Sequence, residues 1–221
     1  MRIDSVKKED KSQVLEMTSH TWEWGDYVGG VFDQWLQKGL FLKAVSPEGE
    51  IAGIVHGALE QDFVWVEGLR VKAPFRKMGV GTSLVGSLIA GARKSTARAL
   101  IRDDNYASLS LFRGLGFDQV ATVYYHEGSE ALRYQEGRSL GSYTQAAYLD
   151  NWIWYNSGSR PVEAYEAEVE GIHVTYLRTE PVFLIEGQLP DKYSFSSSNV
   201  EALNGAHYER FVVVEKILRD Q

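Results

Sequence analysis

The composition of the chain is that of a globular protein. Of its 221 residues, 44% are hydrophobic and 24% are charged, and no apolar run approaches the ~20 residues that a membrane span needs. Its 23 basic and 30 acidic side chains give a net charge of −7, which argues against a general nucleic-acid binder. The absence of cysteine excludes disulfides, thiolate zinc sites and a cysteine nucleophile. Because no apolar segment lies near residue 1, we expect a cytoplasmic protein that binds neither nucleic acid nor membrane.

Hydrophobic periodicity predicts alternating strands and helices in the first part of the chain. Runs of β-prone residues indicate strands at 2–6, 41–45, 50–60, 63–71, 99–102 and 119–125. Apolar residues at helical spacing indicate helices at 8–20, 28–37, 79–95 and 105–115. This order predicts an α/β fold with a mixed β-sheet flanked by helices on both faces.

The pattern weakens in the last third of the chain, which predicts two domains, 1–137 and a smaller C-terminal α+β unit at 138–221. In the second domain, residues 144–155 suggest a helix that carries Trp152 and Trp154, and strands are expected at 172–177, 182–186 and 211–217. The aromatic side chains of this unit suit either a wall that closes a substrate pocket or the interface of a homodimer.

Positive charge is concentrated in one segment of this acidic chain. Between residues 68 and 102 there are eight basic side chains and no aspartate or glutamate. An anionic ligand could dock there, and a basic helix face that only contacts solvent is the alternative.

A glycine-rich turn, R-K-M-G-V-G-T-S at residues 76–83, lies between a predicted strand and a predicted helix. Such a turn presents unpaired backbone N–H groups and the positive end of the helix dipole to an anion. The spacing does not match a P-loop, and a dinucleotide fingerprint would need glycine where the chain has Leu84. The turn therefore predicts a phosphate site of another kind.

Two motifs of the chain resemble those of a known family. Residues 71–81, V-K-A-P-F-R-K-M-G-V-G, resemble the pyrophosphate motif of the GNAT acetyltransferases, [RQ]-x-x-G-x-[GA] after a strand that ends V-x-P. Residues 105–117 resemble the later motif of the same family, N-x-A-x-x-x-L-[YF]-x-x-L-G-F. The resemblance extends over residues 1–130 and implies acetyl-CoA as the acyl donor.

The resemblance also implies which residues contact the cofactor. The backbone of residues 76–82 would hold the pyrophosphate, and the backbone N–H groups of 69–71, where the family's strand bulges, would hold the thioester carbonyl. The full set of implied cofactor contacts is Leu69, Arg70, Val71, Arg76, Lys77, Met78, Gly79, Val80, Gly81, Thr82, Asn105, Ser108 and Phe112.

Glu67 is the candidate catalytic residue, in the role of general base. A lysine-like amine has a pKa near ~10, so a base must remove its proton before the nitrogen can attack the thioester. Glu67 lies on the predicted strand 63–71, where members of the family often carry their base. The alternative is a structural ion pair of Glu67 with Arg70 or Arg102.

Phe112 departs from the family pattern. Many members carry a tyrosine here, whose hydroxyl protonates the leaving CoA thiolate. Water could protonate a thiolate with a pKa near ~8.5, or Tyr106, Tyr124 or Tyr125 could substitute. The departure also leaves open a noncatalytic CoA-binding sensor or assembly module.

The loop between the first two helices is the candidate acceptor site. Aromatic rings and carboxylates that could hold an amine are Trp22, Glu23, Trp24, Asp26 and Tyr27. The alternative is that the tryptophans belong to the core and the acids to a solvated turn. Residues 26–36 also resemble a GNAT subgroup that acetylates free histidine, which favours a small-molecule amine or amino-acid substrate over a protein. Arg70 or Arg102 could then neutralise the carboxylate of the amino acid.

No metal site is predicted. The five histidines of the chain lack metal-ligand spacing, and no cysteine could complete a ligand set.

Overall fold

The structure is a computed structural model that describes residues 1–19, 21, 25–132, 137–203 and 207–218. The chain divides into two compact units. The first comprises Met1–Ala99, Ser110–Asp118 and Glu215–Gln221, and the second comprises Leu100–Leu109 and Gln119–Val214. This division differs from the sequence-based boundary after residue 137, which stays a prediction.

The first unit contains the α/β elements expected from the sequence. Its strands are β1 (Arg2–Ser5), β2 (Leu40–Val45), β3 (Ile51–Leu59), β4 (Phe63–Val71) and the first residues of β5 (Thr96–Arg102). Its helices are α1 (Lys11–Thr18), α2 (Val28–Gln37), α3 (Val80–Ala92) and the end of α4 (Tyr106–Gly114), with short 3-10 helices at Lys8–Asp10 and Ala73–Phe75. The predicted order of elements is confirmed, with boundaries that shift by a few residues.

The sheet of this unit follows the order β1-β2-β3-β4-β5. Neighbours from β1 to β4 are antiparallel, and β5 is parallel to β4. The connection explains the difference, because β4 reaches β5 through helix α3, whereas β2 and β3 are joined by a tight turn in which Ser46 O accepts the N–H of Gly49 at 3.0 Å. The predicted mixed sheet is therefore confirmed.

Helices cover both faces of this sheet. His56 of β3 stacks on Trp35 of α2, whereas its neighbour Gly57 is covered by Leu88 of α3. Since successive residues of a strand point to opposite faces, α2 and α3 lie on opposite faces of the sheet. The core on the α1 and α2 side consists of Val6, Val14, Val28, Phe32, Trp35, Phe41, Ile51 and Ile54.

The second unit is built mainly of strands. They are β6 (Asp118–His126), β7 (Glu130–Ala131), β8 (Arg138–Tyr143), β9 (Tyr148–Asp150), β10 (Ile153–Tyr155), β11 (Val162–Val169), β12 (Ile172–Leu177), β13 (Phe183–Glu186), β14 (Tyr193–Ser197) and β15 (Glu209–Ile217). Two ends of these strands belong to the first unit: Asp118, which begins β6, and the residues of β15 from Glu215 onward. The order β15-β6-β14-β13-β12-β11-β8 forms the sheet, and β9 pairs with β10 separately.

The predicted helix at 144–155 is wrong, because these residues form the β9-β10 hairpin. Asn151 and Trp152 take positive φ values of 49° and 63°, which turn the chain back after three residues of strand. Tyr148 and Leu149 are consecutive and both fully buried, so both faces of β9 are covered. The three other strands predicted in this region are confirmed as β12, β13 and β15.

His126 ties together three segments of the second unit. Its ring is buried, and its Nδ1 and Nε2 lie 2.6 Å from the carbonyl oxygens of His207 and Asp191. We expect His126→Phe to lower the free energy of unfolding by about 1–3 kcal/mol, because both hydrogen bonds of the buried ring are lost. Urea unfolding measures this loss. His173→Phe, at an exposed position of β12, is the control, and equal effects of both variants would contradict the role of His126.

In the part of the chain that the structure describes, no helix combines the length and the apolar character needed to cross a bilayer.

Candidate active site

The strand-to-helix turn of the first unit presents a row of backbone N–H groups. Among the described residues, the N–H groups of residues 77–82 make no hydrogen bond, and the first N–H of this region that bonds back is that of Ser83, to Gly79 O at 2.9 Å. Lys77 and Gly79 take left-handed conformations, with φ values of 62° and 78°. The six N–H groups therefore lie just before helix α3 or in its first turn, at the positive end of the helix dipole.

The charges around this turn are also positive. Arg76 and Lys77 are exposed, and Arg76 Nε donates to Val71 O at 3.1 Å. No acidic residue occurs between positions 68 and 102. A donor set of backbone N–H groups and cations without a carboxylate suits a pyrophosphate, so the residues present fit the diphosphate of coenzyme A.

The two glycines of the motif have different structural roles. An added Cβ at Gly79 would meet no atom within 4 Å, whereas a Cβ at Gly81 would lie 2.6 Å from Leu111 Cδ1 of α4. Gly79 therefore serves the left-handed turn at the anion site, and Gly81 permits close packing of α3 on α4.

The second role can be tested within helix α3. We expect Gly81→Ala to lower the free energy of unfolding by about 1–2 kcal/mol, because the added methyl overpacks the contact with Leu111. The matched control is Gly86→Ala in the same helix, where a Cβ meets nothing within 4 Å. Since alanine is the better helix former, this control is expected to gain about 0.5–1 kcal/mol. Thermal or urea unfolding of both variants measures the contrast, and two gains would contradict the packing role.

Strand β4 bulges next to this turn. In its pairing with β3, Glu67 lies opposite His56 and Arg70 lies opposite Ile54, so two residues, Gly68 and Leu69, face one. Gly68 has a φ of 62°. A bulge is thus present beside the stretch 69–71, and the role of its N–H groups toward a thioester stays a prediction.

Glu67 is paired with a histidine rather than with an arginine. Its Oε1 lies 2.7 Å from His56 Nδ1, and its side chain is 26% exposed. Arg70 instead binds Asp26, and Arg102 binds Asp104 and Glu209. The alternative of an ion pair between Glu67 and either arginine is therefore wrong.

His56, the partner of Glu67, is also held by a backbone carbonyl and by an aromatic ring. Its Nε2 lies 2.7 Å from Lys38 O, and its ring stacks on Trp35 with centroids 4.5 Å apart and planes at 4°. The sequence analysis did not identify the contact of His56 with Glu67. The signal for that contact is the register of β3 on β4, which no local pattern reveals.

Asp26 and Arg70 neutralise each other in the structure. Arg70 Nε donates to Asp26 Oδ2 at 2.7 Å, and the Asp26 side chain is only 1% exposed. Asp26 Oδ1 accepts the N–H of Val28 at 3.0 Å, which fixes the start of α2. Both charges are therefore engaged within the protein. The ion pair would have to open before Asp26 could contact the acceptor, or the Arg70 side chain the cofactor, as predicted from the sequence.

Tyr27 lies between these two pairs. Burial of its hydroxyl raises the pKa of Tyr27, the charges of Glu67 and Asp26 raise it further, and Arg70 opposes the rise. The residue as a whole is 44% exposed, and the Arg70 guanidinium lies over its ring, 5.4 Å from the centroid. Since its pKa lies above the ordinary value, the Tyr27 hydroxyl stays protonated at neutral pH.

Phe112 belongs to the core of the first unit. It is 3% exposed and packs edge-on against Phe117, with ring centroids 4.9 Å apart. At the position where many family members carry a tyrosine, this chain therefore has a phenylalanine that packs in the core.

Asn105 and Ser108 lie in the second unit, at the start of α4. The side-chain Oδ1 of Asn105 accepts the backbone N–H of Ser108 at 3.1 Å, which caps the helix. Their contact with the cofactor stays a prediction, as do the cofactor contacts of Leu69, Val71, Met78, Val80 and Thr82. Trp22, Glu23 and Trp24 lie outside the described residues.

The three tyrosines considered as proton donors also lie in the second unit. Tyr106 is 77% exposed. Tyr125 packs edge-on against Trp152 with centroids 5.0 Å apart, and burial raises its pKa, with the charge of Glu127 adding to the rise. Tyr124 packs against Tyr208 with centroids 5.3 Å apart. No contact of these residues identifies one of them as the acid.

The first unit is thus an α/β fold in which a glycine turn with unpaired N–H groups lies next in the chain to a bulged strand that carries a carboxylate–imidazole pair. Residues 11–117 match the model of the acetyltransferase (GNAT) family. This match covers 107 of the 221 residues and agrees with the resemblance found in the motifs of the chain.

Two known proteins show how far the similarity extends. An N-alpha-acetyltransferase of Sulfolobus acidocaldarius is 32% identical over 103 residues, which cover 38% of this chain and 61% of that relative. A crystal structure of a protein from Thermoplasma acidophilum, designated an acetyltransferase, superposes with a TM-score of 0.68 at 20% identity, covering 99% of this chain and 100% of the other. The second similarity shows that the fold of the whole chain, both units included, occurs in another protein.

Proposed function

We propose that this protein is a cytoplasmic N-acetyltransferase that transfers an acetyl group from acetyl-CoA to a primary amine by direct attack of the amine on the thioester. The observation that carries the proposal is the row of six N–H groups at residues 77–82, inside the segment that matches the GNAT family. Acetyl-CoA supplies the activated acetyl group, and residues 76–82 would hold its pyrophosphate. The positive charges of Arg76 and Lys77 add to this binding.

In the proposed reaction Glu67 removes the proton that blocks the amine. Its Oε1 is held by His56, and its Oε2 has no hydrogen-bond partner among the described residues. Oε2 is therefore the atom that accepts the proton of the acceptor ammonium group, after which the neutral nitrogen can attack. The N–H groups of the bulged stretch 69–71 are the donors we assign to the developing oxyanion.

The acceptor we propose is a small-molecule amine or an amino acid. Tyr27 is 44% exposed and packs edge-on against the buried Trp35, with ring centroids 6.0 Å apart, so its ring is the aromatic surface that we propose for a cationic amine. The Sulfolobus relative is named for acetylation of an α-amine. An α-amine is common to free amino acids and to peptide N-termini, so both belong in the test.

A noncatalytic CoA-binding module is the second candidate, and Phe112 is the observation that favours it. A buried phenyl ring replaces the hydroxyl that protonates the thiolate in many members of the family. Such a module would bind acetyl-CoA and release no thiol.

The deciding experiment measures thiol release from acetyl-CoA with a disulfide reagent. The amine panel consists of free amino acids including histidine, polyamines, and peptides with a free N-terminus or a lysine. Because the chain has no cysteine, the protein gives no background signal. Amine-dependent release is the expected result. Binding of acetyl-CoA without release for any amine would refute the transferase and favour the noncatalytic module.

A further inference from the structure

His56 is a buried histidine with both ring nitrogens engaged. Its side chain is 3% exposed, and its Nε2 lies 2.7 Å from the carbonyl oxygen of Lys38. A backbone carbonyl can only accept a hydrogen bond, so Nε2 must carry a proton. Nδ1 is therefore the nitrogen whose protonation decides the charge of the ring.

The contact of Nδ1 with Glu67 also requires a proton. The Nδ1–Oε1 distance of 2.7 Å is that of a strong hydrogen bond. A neutral ring with its proton on Nε2 would direct the Nδ1 lone pair at a carboxylate oxygen, and two acceptors do not bind each other. The pair must hold one shared proton, either on Nδ1 beside a carboxylate or on Oε1 beside a neutral ring.

An aromatic face is available to a positively charged ring. The face of Trp35 stacks on His56, and aromatic faces attract cations. The edge of Phe41 on β2 lies against the ring, with centroids 5.9 Å apart. Among the described residues of β2, α2 and β4, Glu67 is the titratable group that contacts the ring. Arg70, the nearest cation on β4, is bound to Asp26 and does not compete for Glu67.

Backbone geometry keeps this stack in place. A Cβ at Gly68 would overlap the Trp35 ring, and a Cβ at Gly39 would lie 2.8 Å from His56 Nε2. Trp35 thus lies between Gly68 and His56, and the chain at Gly39 passes close enough for Lys38 O to reach the ring. The ring has little freedom to rotate away from Glu67.

We propose that His56 is the positioning residue of the catalytic base, an imidazolium that holds Glu67 Oε1 and leaves Oε2 to take the proton of the acceptor amine. This inference rests on the proposed function, since it assigns to Glu67 the role of base. The imidazolium restricts the carboxylate to one orientation. The proton that leaves the ammonium nitrogen binds Oε2, so the shared proton on Nδ1 does not need to move.

The protonation state can be measured without substrate or cofactor. In the full-length protein labelled with ¹⁵N, long-range ¹H–¹⁵N spectra at pH 7 report whether each histidine ring nitrogen carries a proton. The signal of His56 is assigned by its loss in His56→Gln. We expect both nitrogens of His56 to be protonated in the wild type, and Nδ1 to lose its proton in Glu67→Gln, whose amide can donate to it. A single protonated nitrogen in the wild type would overturn the proposal.

The kinetic effect requires a second measurement, because a structural histidine could also be charged. We expect His56→Gln to lower kcat about ten- to hundredfold, with the KM for acetyl-CoA unchanged. Without the neighbouring positive charge, the carboxylate binds protons more readily, so the acid limb of the kcat/KM profile moves to higher pH. The control is His173→Gln on β12 in the second unit. We expect this variant to match the wild type in kcat and in the pH profile of kcat/KM.

The two parts of the hypothesis can fail separately. Absence of thiol release in the wild type would remove the transferase, whatever the spectra show. An active wild type whose His56→Gln variant keeps both its kcat and its pH profile would overturn the positioning role alone. If that variant does not fold, which circular dichroism reveals, the wild-type spectra and those of Glu67→Gln still decide the charge of the ring.

Discussion

Glu67→Gln is expected to lower kcat for the acetylation of an amine by about a hundredfold or more, the contribution typical of a general base. The glutamine side chain retains the shape and the contact with His56 but cannot take a proton from an ammonium group. The affinity for acetyl-CoA should remain unchanged, because the proposed pyrophosphate site lies at residues 76–82. Steady-state thiol release gives kcat, and calorimetric titration gives the affinity.

The control for this variant is another carboxylate of the first unit. Glu50, which binds Lys72 at 2.6 Å and is 49% exposed, can be changed to glutamine without touching the proposed site. We expect Glu50→Gln to keep full activity. If Glu67→Gln also keeps it, the base is water or another residue, and the role of His56 as a positioning residue falls with it.

Gly79→Asp is expected to weaken acetyl-CoA binding by about ten- to hundredfold, equivalent to about 1.4–2.8 kcal/mol. The added carboxylate would lie at the turn that is proposed to hold the pyrophosphate, and it would repel the ligand. Equilibrium titration with acetyl-CoA at low and high salt measures the loss. The loss should shrink at high salt, because ions screen charges at an exposed turn.

Gly79→Asn separates charge from backbone strain. Asparagine and aspartate have nearly the same shape, and both tolerate the left-handed conformation of Gly79, with its φ of 78°, better than most residues do. We therefore expect Gly79→Asn to lose much less affinity than Gly79→Asp. Equal losses would mean that the turn matters only for its conformation, and the assignment of the pyrophosphate to these N–H groups would be wrong.

Much of the first unit could be predicted because its signals are local. The apolar spacing of residues 80–92 defines α3, the glycines set the turn before it, and β-prone runs define strands 51–59 and 63–71. The prediction of an anion site at the turn comes from the same short segment, since a strand, a glycine turn and a helix start determine where N–H groups are unpaired. The position of Glu67 could likewise be predicted, because it falls within the β-prone run 63–71 that comes before this turn.

The hairpin of β9 and β10 shows where local signals mislead. Residues 144–155 contain apolar and aromatic residues whose spacing also fits a helix, and helix and strand cannot be separated by periodicity in so short a run. Positive φ values at Asn151 and Trp152 decide for the hairpin. Neither residue type demands that conformation, so the packing of the surrounding unit determines it.

By itself the sequence indicated the resemblance to the GNAT family, the order of elements in the first unit, the glycine turn at residues 76–82 and the candidate base. Only the tertiary structure showed that Glu67 meets His56, that Arg70 is bound to Asp26 and that Gly81 accommodates Leu111. These pairs are separated by 11, 44 and 30 residues, and each depends on strand register or helix packing. A one-residue slip of β3 against β4 would turn His56 to the other face of the sheet, which is why no local pattern could reveal its partner.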